Sequence, residues 1–113
     1  MKTISGGVTA PKGFRAAGVY CGVKASHAGV PGTQGKPDLA LIVPDCECPA
    51  AATYTLNRVK AAPLYVTMGH LEDGVCRGIV ANSGNANACA PLSHENAEKM
   101  CELAAAATGL KPQ

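Results

Sequence analysis

Residues 93–108, "SHENAEKMCELAAAAT", limit most strictly what this chain can become. Ser93 stands where an N-cap is expected, and Glu95 falls in the first turn, where the helix dipole favours an anion. Ala97, Met100, Cys101, Ala104 and Ala107 recur on one stripe at helical spacing, with Glu95 and Lys99 as an i,i+4 pair on the other side. Gly109 supplies the stop and Pro112 follows it. A helix whose buried stripe is mostly Ala packs closely on its neighbour, so Met100 reads as core. That neighbour has to come from the preceding residues, and these read mainly as strands.

Residues 6–24 alternate short β-prone pieces with Gly and Pro, which predicts strands near 7–10 and 17–24 about a turn at Pro11-Lys12-Gly13. Residues 25–37 read as a polar, Gly- and Pro-rich loop in which His27 is expected to be solvated. "DLALIV" (38–43) is a continuous apolar run of strand length, the pattern of a strand covered on both faces, and Pro44 ends it. Thr53-Tyr54-Thr55 marks a strand over 51–59, "APLYVTM" (62–68) adds a third piece, and "VCRGIVAN" (75–82) is the last strand. The class is α+β: a mixed sheet with a packed Ala-rich helix, in one domain over residues 1–113. After the helix come only "GLKPQ", so the arrangement reads as incomplete.

The composition points the same way. One Phe, three Tyr and no Trp stand among 113 residues, although 47% are apolar. A large buried side chain contributes about 1.5–3 kcal/mol and Ala far less, so a core of Ala, Val and Cys is thin. A net charge of +2, with Lys and Arg scattered, gives no nucleic-acid footprint. No apolar stretch approaches the roughly 20 residues of a membrane span, and "MKTISGGVTAPKG" has no secretory h-region; the cytosol is the expected compartment. Six cysteines (Cys21, Cys46, Cys48, Cys76, Cys89 and Cys101) are expected as free, mostly buried thiols. Only Cys46-Glu47-Cys48 is closely paired, half of what a tetrahedral zinc site needs.

No self-contained active site is legible. His27, His70 and His94 lie in loops or at a helix start, and no nucleophile elbow, zinc-protease, phosphate-loop or dinucleotide pattern occurs. Asp38, Asp45, Glu47, Glu72 and Asp73 sit at turns or strand ends and read as solvated. The unusual stretch is "ANSGNANACAP" (81–91), which places Asn82, Asn85 and Asn87 among residues with almost no side chain. Asn and Gly tolerate positive φ and Asn caps local backbone, so a turn explains it; small residues and fixed amides also suit close approach of a ligand.

Several stretches together resemble the ornithine acetyltransferase family, the ArgJ-type enzymes of arginine biosynthesis. "PKGFRAAGVYCGVK" is similar to the family's opening, "KPDLALIV" to its first buried strand, "NRVKAAP" (57–63) to its next signature, and "GIVANSGNANAC" (78–89) to its most recognisable stretch. They occur in the family's order from about residue 7 onward. The resemblance implies a precursor that cleaves itself into an α and a β chain, the new N-terminal Thr of the β chain being the nucleophile. Its own α-amine serves as base, and an oxyanion hole stabilises the tetrahedral intermediate. The acetyl group passes from N²-acetylornithine to glutamate, with acetyl-CoA as a second donor in some members and no bound cofactor or metal. The fold implied is a partial αββα-type sandwich completed by the remainder of the α chain and a β chain, in an αβ hetero-oligomer.

No catalytic residue carries over. The family's Ser-Thr-Gly oxyanion segment and its nucleophilic Thr have no counterpart, since Thr3, Thr9, Thr33, Thr53, Thr55, Thr67 and Thr108 all sit in other contexts. Asn82, Asn85 and Asn87 carry over as members of the matching motif, expected to shape a wall of the site. Three departures stand out: Ala90-Pro91 replaces the usual Thr-Gly, the 25–37 connection is longer, and "CEC" is atypical. A free-standing binding module that keeps the scaffold without the chemistry is the alternative reading, with a small thiol-metal protein behind it.

Overall fold

The computed structural model describes residue 3, residues 5–24 and residues 35–111. They have an α+β architecture and divide into two compact units, one containing residues up to Cys48 with Arg77–Gly84, the other Pro49–Cys76 with Asn85 onward.

The first unit is built on a three-stranded sheet in the order β1 (Phe14–Val19), β2 (Leu39–Pro44), β5 (Ile79–Asn82). Both pairings are antiparallel: Phe14 lies opposite Pro44 and Val19 opposite Leu39, while Leu39 lies opposite Asn82 and Ile42 opposite Ile79. Within this three-stranded sheet no pair is parallel, unlike the mixed sheet expected. The apolar run at 38–43 becomes the central strand, as expected, yet its burial is uneven. Ala40 is exposed and only Val43 and Pro44 are buried, so two-sided cover reaches one end of the strand.

The expected strand at 7–10 is instead a single 3-10 turn, Gly7–Thr9. Gly6 and Gly7 take positive φ, and the Thr9 hydroxyl donates to Gly6 O at 3.1 Å, a local bond that competes with ladder formation. The strand expected at 17–24 starts earlier and stops at Val19. Beyond it, the N–H groups of Cys21 and Lys24 turn to the carboxylate of Asp38 rather than to a neighbouring strand.

In the second unit, α1 (Ala62–His70) packs on α2 (Ser93–Thr108), and Ala62, Val66, Ala97 and Ala105 form the buried contact. Residues 62–68 are therefore helical, contrary to the strand reading of Tyr65-Val66-Thr67. Pro63 lies in the first turn, where its fixed φ is already helical and its missing N–H is not needed, and Ala62 and Val66 then fall one turn apart on the buried side. Residues 51–59 form no strand, and Leu56 is 97% exposed. The expected strand 75–82 is split into β4 (Val75–Cys76), paired with β3 (Cys48–Pro49), and β5, with Arg77-Gly78 between them.

α2 has the predicted bounds but not the predicted cap. Leu92, not Ser93, occupies the N-cap, in a left-handed conformation at φ 53 with no side-chain capping bond. Pro91 immediately before it restricts the approach to the helix. Gly109 closes the C-terminus at φ 71, as expected. Lys99 pairs with Glu102 at 2.7 Å in place of the expected Glu95. The expected stripe holds at Ala97, which is buried, and at Met100, Cys101 and Ala104, which are half-buried; Ala105 joins it and Ala107 is exposed.

The core is thin. Among the described residues the buried apolar side chains are Val43, Pro44, Ala62, Val66, Ala97 and Ala105, and none of the large ones is fully enclosed.

Candidate functional site

Strand β5 delivers the chain to the asparagine stretch. Asn82, half-buried, closes β5 opposite Leu39 in the first unit. Asn85 and Asn87 belong to the second, where the Asn85 side-chain amide donates to Asn87 Oδ1 at 3.0 Å. The structure thus joins two of the three predicted residues directly.

The backbone here is unusual. Asn87, Cys89 and Leu92 are the non-glycine residues at positive φ among those described, with φ of 56, 54 and 53. A left-handed conformation costs an L-residue about 1–2 kcal/mol, less for Asn. Three such residues in so short a run indicate a chain path held by its surroundings. Gly84 has φ +101, and a Cβ there would stand 2.7 Å from Lys24 Cγ and 3.1 Å from both Lys24 N and Cα. Glycine is required at this position twice over, by conformation and by space.

The group that organises this end of the sheet is Asp38, which the sequence reading took as solvated. It is 2% exposed, the buried charged residue of the described chain. Oδ1 accepts from Cys21 N–H at 2.7 Å and Oδ2 from Lys24 N–H at 2.9 Å. Its own N–H donates to Val19 O at 2.9 Å, and its carbonyl accepts from Ser83 N–H at 2.8 Å. Burial acts to raise its pKa, but the hydrogen bonds from Cys21, Lys24 and Val23 outweigh it and bring the value down to about 2. Asp38 is therefore an ionised anchor and not a general acid. Its visible signal in the sequence is weak: an acid after Pro37 at the mouth of an apolar strand.

The other candidates fall away on geometry. Glu47 is paired with Arg77 at 2.6 Å, and Asp45 with Arg15 at 3.2 Å. His70 Nε2 lies 3.5 Å from Glu98, His94 is exposed, and His27 lies outside the described residues. None of the six cysteines is in a disulfide, and none is buried: Cys21, Cys46 and Cys89 are exposed, the rest half-buried. The expectation of mostly buried thiols fails because the enclosed positions are taken by Val43 on β2 and by Ala and Val on helices α1 and α2. Cys21 has its pKa raised by its hydrogen bond to Asp38, and Cys101 by burial and the charge of Glu98, so neither is poised as a thiolate nucleophile. Among the described residues no group of three or more His, Cys, Asp or Glu side chains is placed to hold a metal ion, and no helix is long and apolar enough to cross a membrane.

An antiparallel sheet that ends in an Asn/Gly loop braced by a buried carboxylate, in a chain that also carries two packed helices, defines an α+β scaffold. The chain belongs to the ArgJ family, whose model matches residues 15–113. It is 46% identical to the arginine biosynthesis bifunctional protein ArgJ of Symbiobacterium thermophilum, an alignment that covers 100% of this chain and 27% of that protein. The crystal structure of ArgJ from Bacillus halodurans superposes with a TM-score of 0.81 at 35% identity, over 95% of this chain and 52% of that one. Ornithine acetyltransferase from Mycobacterium tuberculosis, solved with ornithine, gives a TM-score of 0.76 at 44% identity, over 90% of this chain and 50% of its own. The chain thus spans about a quarter of the length of the first of these relatives.

Proposed function

We propose that these residues are the N-terminal portion of the α side of an ornithine acetyltransferase, an enzyme that moves an acetyl group from N²-acetylornithine to glutamate. The observation that carries the reading is the family match over residues 15–113, joined to a fold shared with an ornithine-bound acetyltransferase over 90% of the chain. In this reading the nucleophile is the N-terminal Thr of a β chain released by self-cleavage, its α-amine acting as base. The oxyanion donors come from a Ser-Thr-Gly segment of the α chain. Some members of the family also take the acetyl group from acetyl-CoA, and in this reading no bound cofactor or metal takes part. Residues 1–113 supply sheet, helix and, through Asn82, Asn85 and Asn87, part of the wall of the site. On their own they are inactive, since they hold no Thr in the nucleophile's context.

The test is an intact-mass spectrum of the native assembly isolated through this chain, followed by an acetyl-transfer assay. A co-purifying chain that begins with Thr, with transfer from N²-acetylornithine to glutamate, is the expected result. A folded chain that isolates alone and transfers nothing refutes the reading and favours a binding module built on the same scaffold.

A further inference from the structure

We propose that Asp38 is the positioning residue for the first-unit half of the asparagine loop, Asn82-Ser83-Gly84, which it holds directly through Ser83 and indirectly through Lys24. The direct hold is the 2.8 Å bond from Ser83 N–H to the Asp38 carbonyl. The indirect hold runs through the side chain. Oδ2 fixes Lys24 N–H at 2.9 Å, and the same Lys24 N and Cα form the surface against which Gly84 lies, so close that a Cβ would stand 3.1 Å from each. Oδ1 pins Cys21 N–H at 2.7 Å, so the segment 21–24 is held at two points.

The residue is placed for this task by topology. Asp38 immediately precedes the central strand, so β1 leaves on one side of it and β5 arrives on the other. Its N–H closes the β1 side at Val19, its carbonyl closes the β5 side at Ser83, and its carboxylate braces the exit of β1. A buried carboxylate whose two oxygens accept main-chain N–H groups is rigid, because charge-assisted bonds of this kind are short and strong. The loop that starts at Asn82 therefore inherits a fixed departure point, although Asp38 is far from it in sequence.

The kinetic consequence rests on the transferase reading, in which the loop lines the site without touching the reacting atoms. The experiment uses the complete assembly that contains this chain. Asp38→Asn keeps the side chain's size but removes the charge and replaces one acceptor with a donor. Hydrogen exchange of the Lys24 amide is expected to accelerate at least tenfold, about the worth of one lost charge-assisted hydrogen bond. Exchange in a peptide covering residues 82–84 is expected to accelerate with it, although the main-chain bond from Ser83 N–H remains. The KM for N²-acetylornithine is expected to rise about tenfold with kcat within about twofold, the pattern of weakened binding in ground and transition state alike. Loss of folded enzyme would instead lower kcat at unchanged KM.

Unchanged exchange at 82–84 overturns the proposal, and so does a fall in kcat alone that matches the loss of folded protein. If Asp38→Asn does not assemble, Gly84→Ala attacks the same contact from the loop side with the carboxylate intact, and the same exchange and KM changes are required. If the wild-type assembly transfers no acetyl group but Asp38→Asn still speeds exchange, the transferase reading fails and the positioning role stands.

Discussion

Gly84→Ala is the substitution at which the asparagine stretch declares its constraints most sharply. At φ +101 any L-residue is strained, by about 1–2 kcal/mol. The added methyl also meets Lys24. Its Cγ at 2.7 Å belongs to a flexible side chain and can swing away, but the N and Cα at 3.1 Å are backbone. Carbon contacts are optimal near 3.5–4.0 Å, so the segment has to retreat by several tenths of an ångström, against the hydrogen bonds that tie it to Asp38. Overpacking of that kind costs about 1–3 kcal/mol. The sum is about 2–5 kcal/mol, of which the conformational part is separable. Gly74 has φ +71 with nothing within 4 Å of a built Cβ, so Gly74→Ala carries only the strain of about 1–2 kcal/mol. The assay is residue-resolved hydrogen exchange on the complete assembly, read at Lys24. Gly84→Ala is expected to speed exchange of that amide about ten- to hundredfold, and Gly74→Ala to leave it within about threefold. Equal effects of the two variants, or a Lys24 amide unmoved by Gly84→Ala, would refute the close approach.

Four further outcomes follow from the same geometry. The pKa of Asp38 is lowered from 3.8 to about 2 in the folded chain, so its contribution to stability is present above about pH 3.8 and lost as pH falls towards 2; protection of the Cys21 and Lys24 amides should fade across that window in wild type and lose its pH dependence in Asp38→Asn. Because Asp38 raises the pKa of Cys21, alkylation of that thiol at pH 8, followed by mass spectrometry, should be slower in wild type than in Asp38→Asn. Ala97→Leu, at 6% exposure between α1 and α2, should destabilise the second unit by about 1–3 kcal/mol, seen as a lower thermal midpoint. Leu92→Gly should stabilise α2 by about 0.5–1 kcal/mol, since Leu92 is 67% exposed and gives up little packing when its left-handed strain is relieved.

What could be read from the sequence divides along the range of the interactions that decide it. Helix α2 was legible to its bounds because an i,i+4 stripe and a C-terminal Gly are local signals, written within the residues they govern. Strand β2 was legible for a similar reason: five residues of unbroken apolar chain, Leu39 to Val43, have few other destinations. Residues 62–68 misled because Tyr65-Val66-Thr67 carries strand propensity, whereas Pro63 and the packing of Val66 against α2 decide for helix, and that packing partner lies some thirty residues later. The asparagine stretch was visible as composition, but its conformation was not, since three left-handed non-glycine residues have no local signature beyond Asn87 itself.

Asp38 is the clearest case of a residue that sequence alone could not place. A carboxylate at a strand mouth is usually solvated, and nothing next to it says otherwise. Its partners are main-chain N–H groups of residues 21 and 24 on one side and 83 on the other, contacts created only when β1 and β5 come to flank β2. Backbone donors leave no trace in side-chain identity, so no pattern search over residue types finds them. The one residue that does record the arrangement is Gly84, because only the absence of a Cβ lets the loop lie against Lys24. The buried acid and the obligatory glycine are thus two halves of one constraint. The motif carries the visible half, and the fold supplies the other.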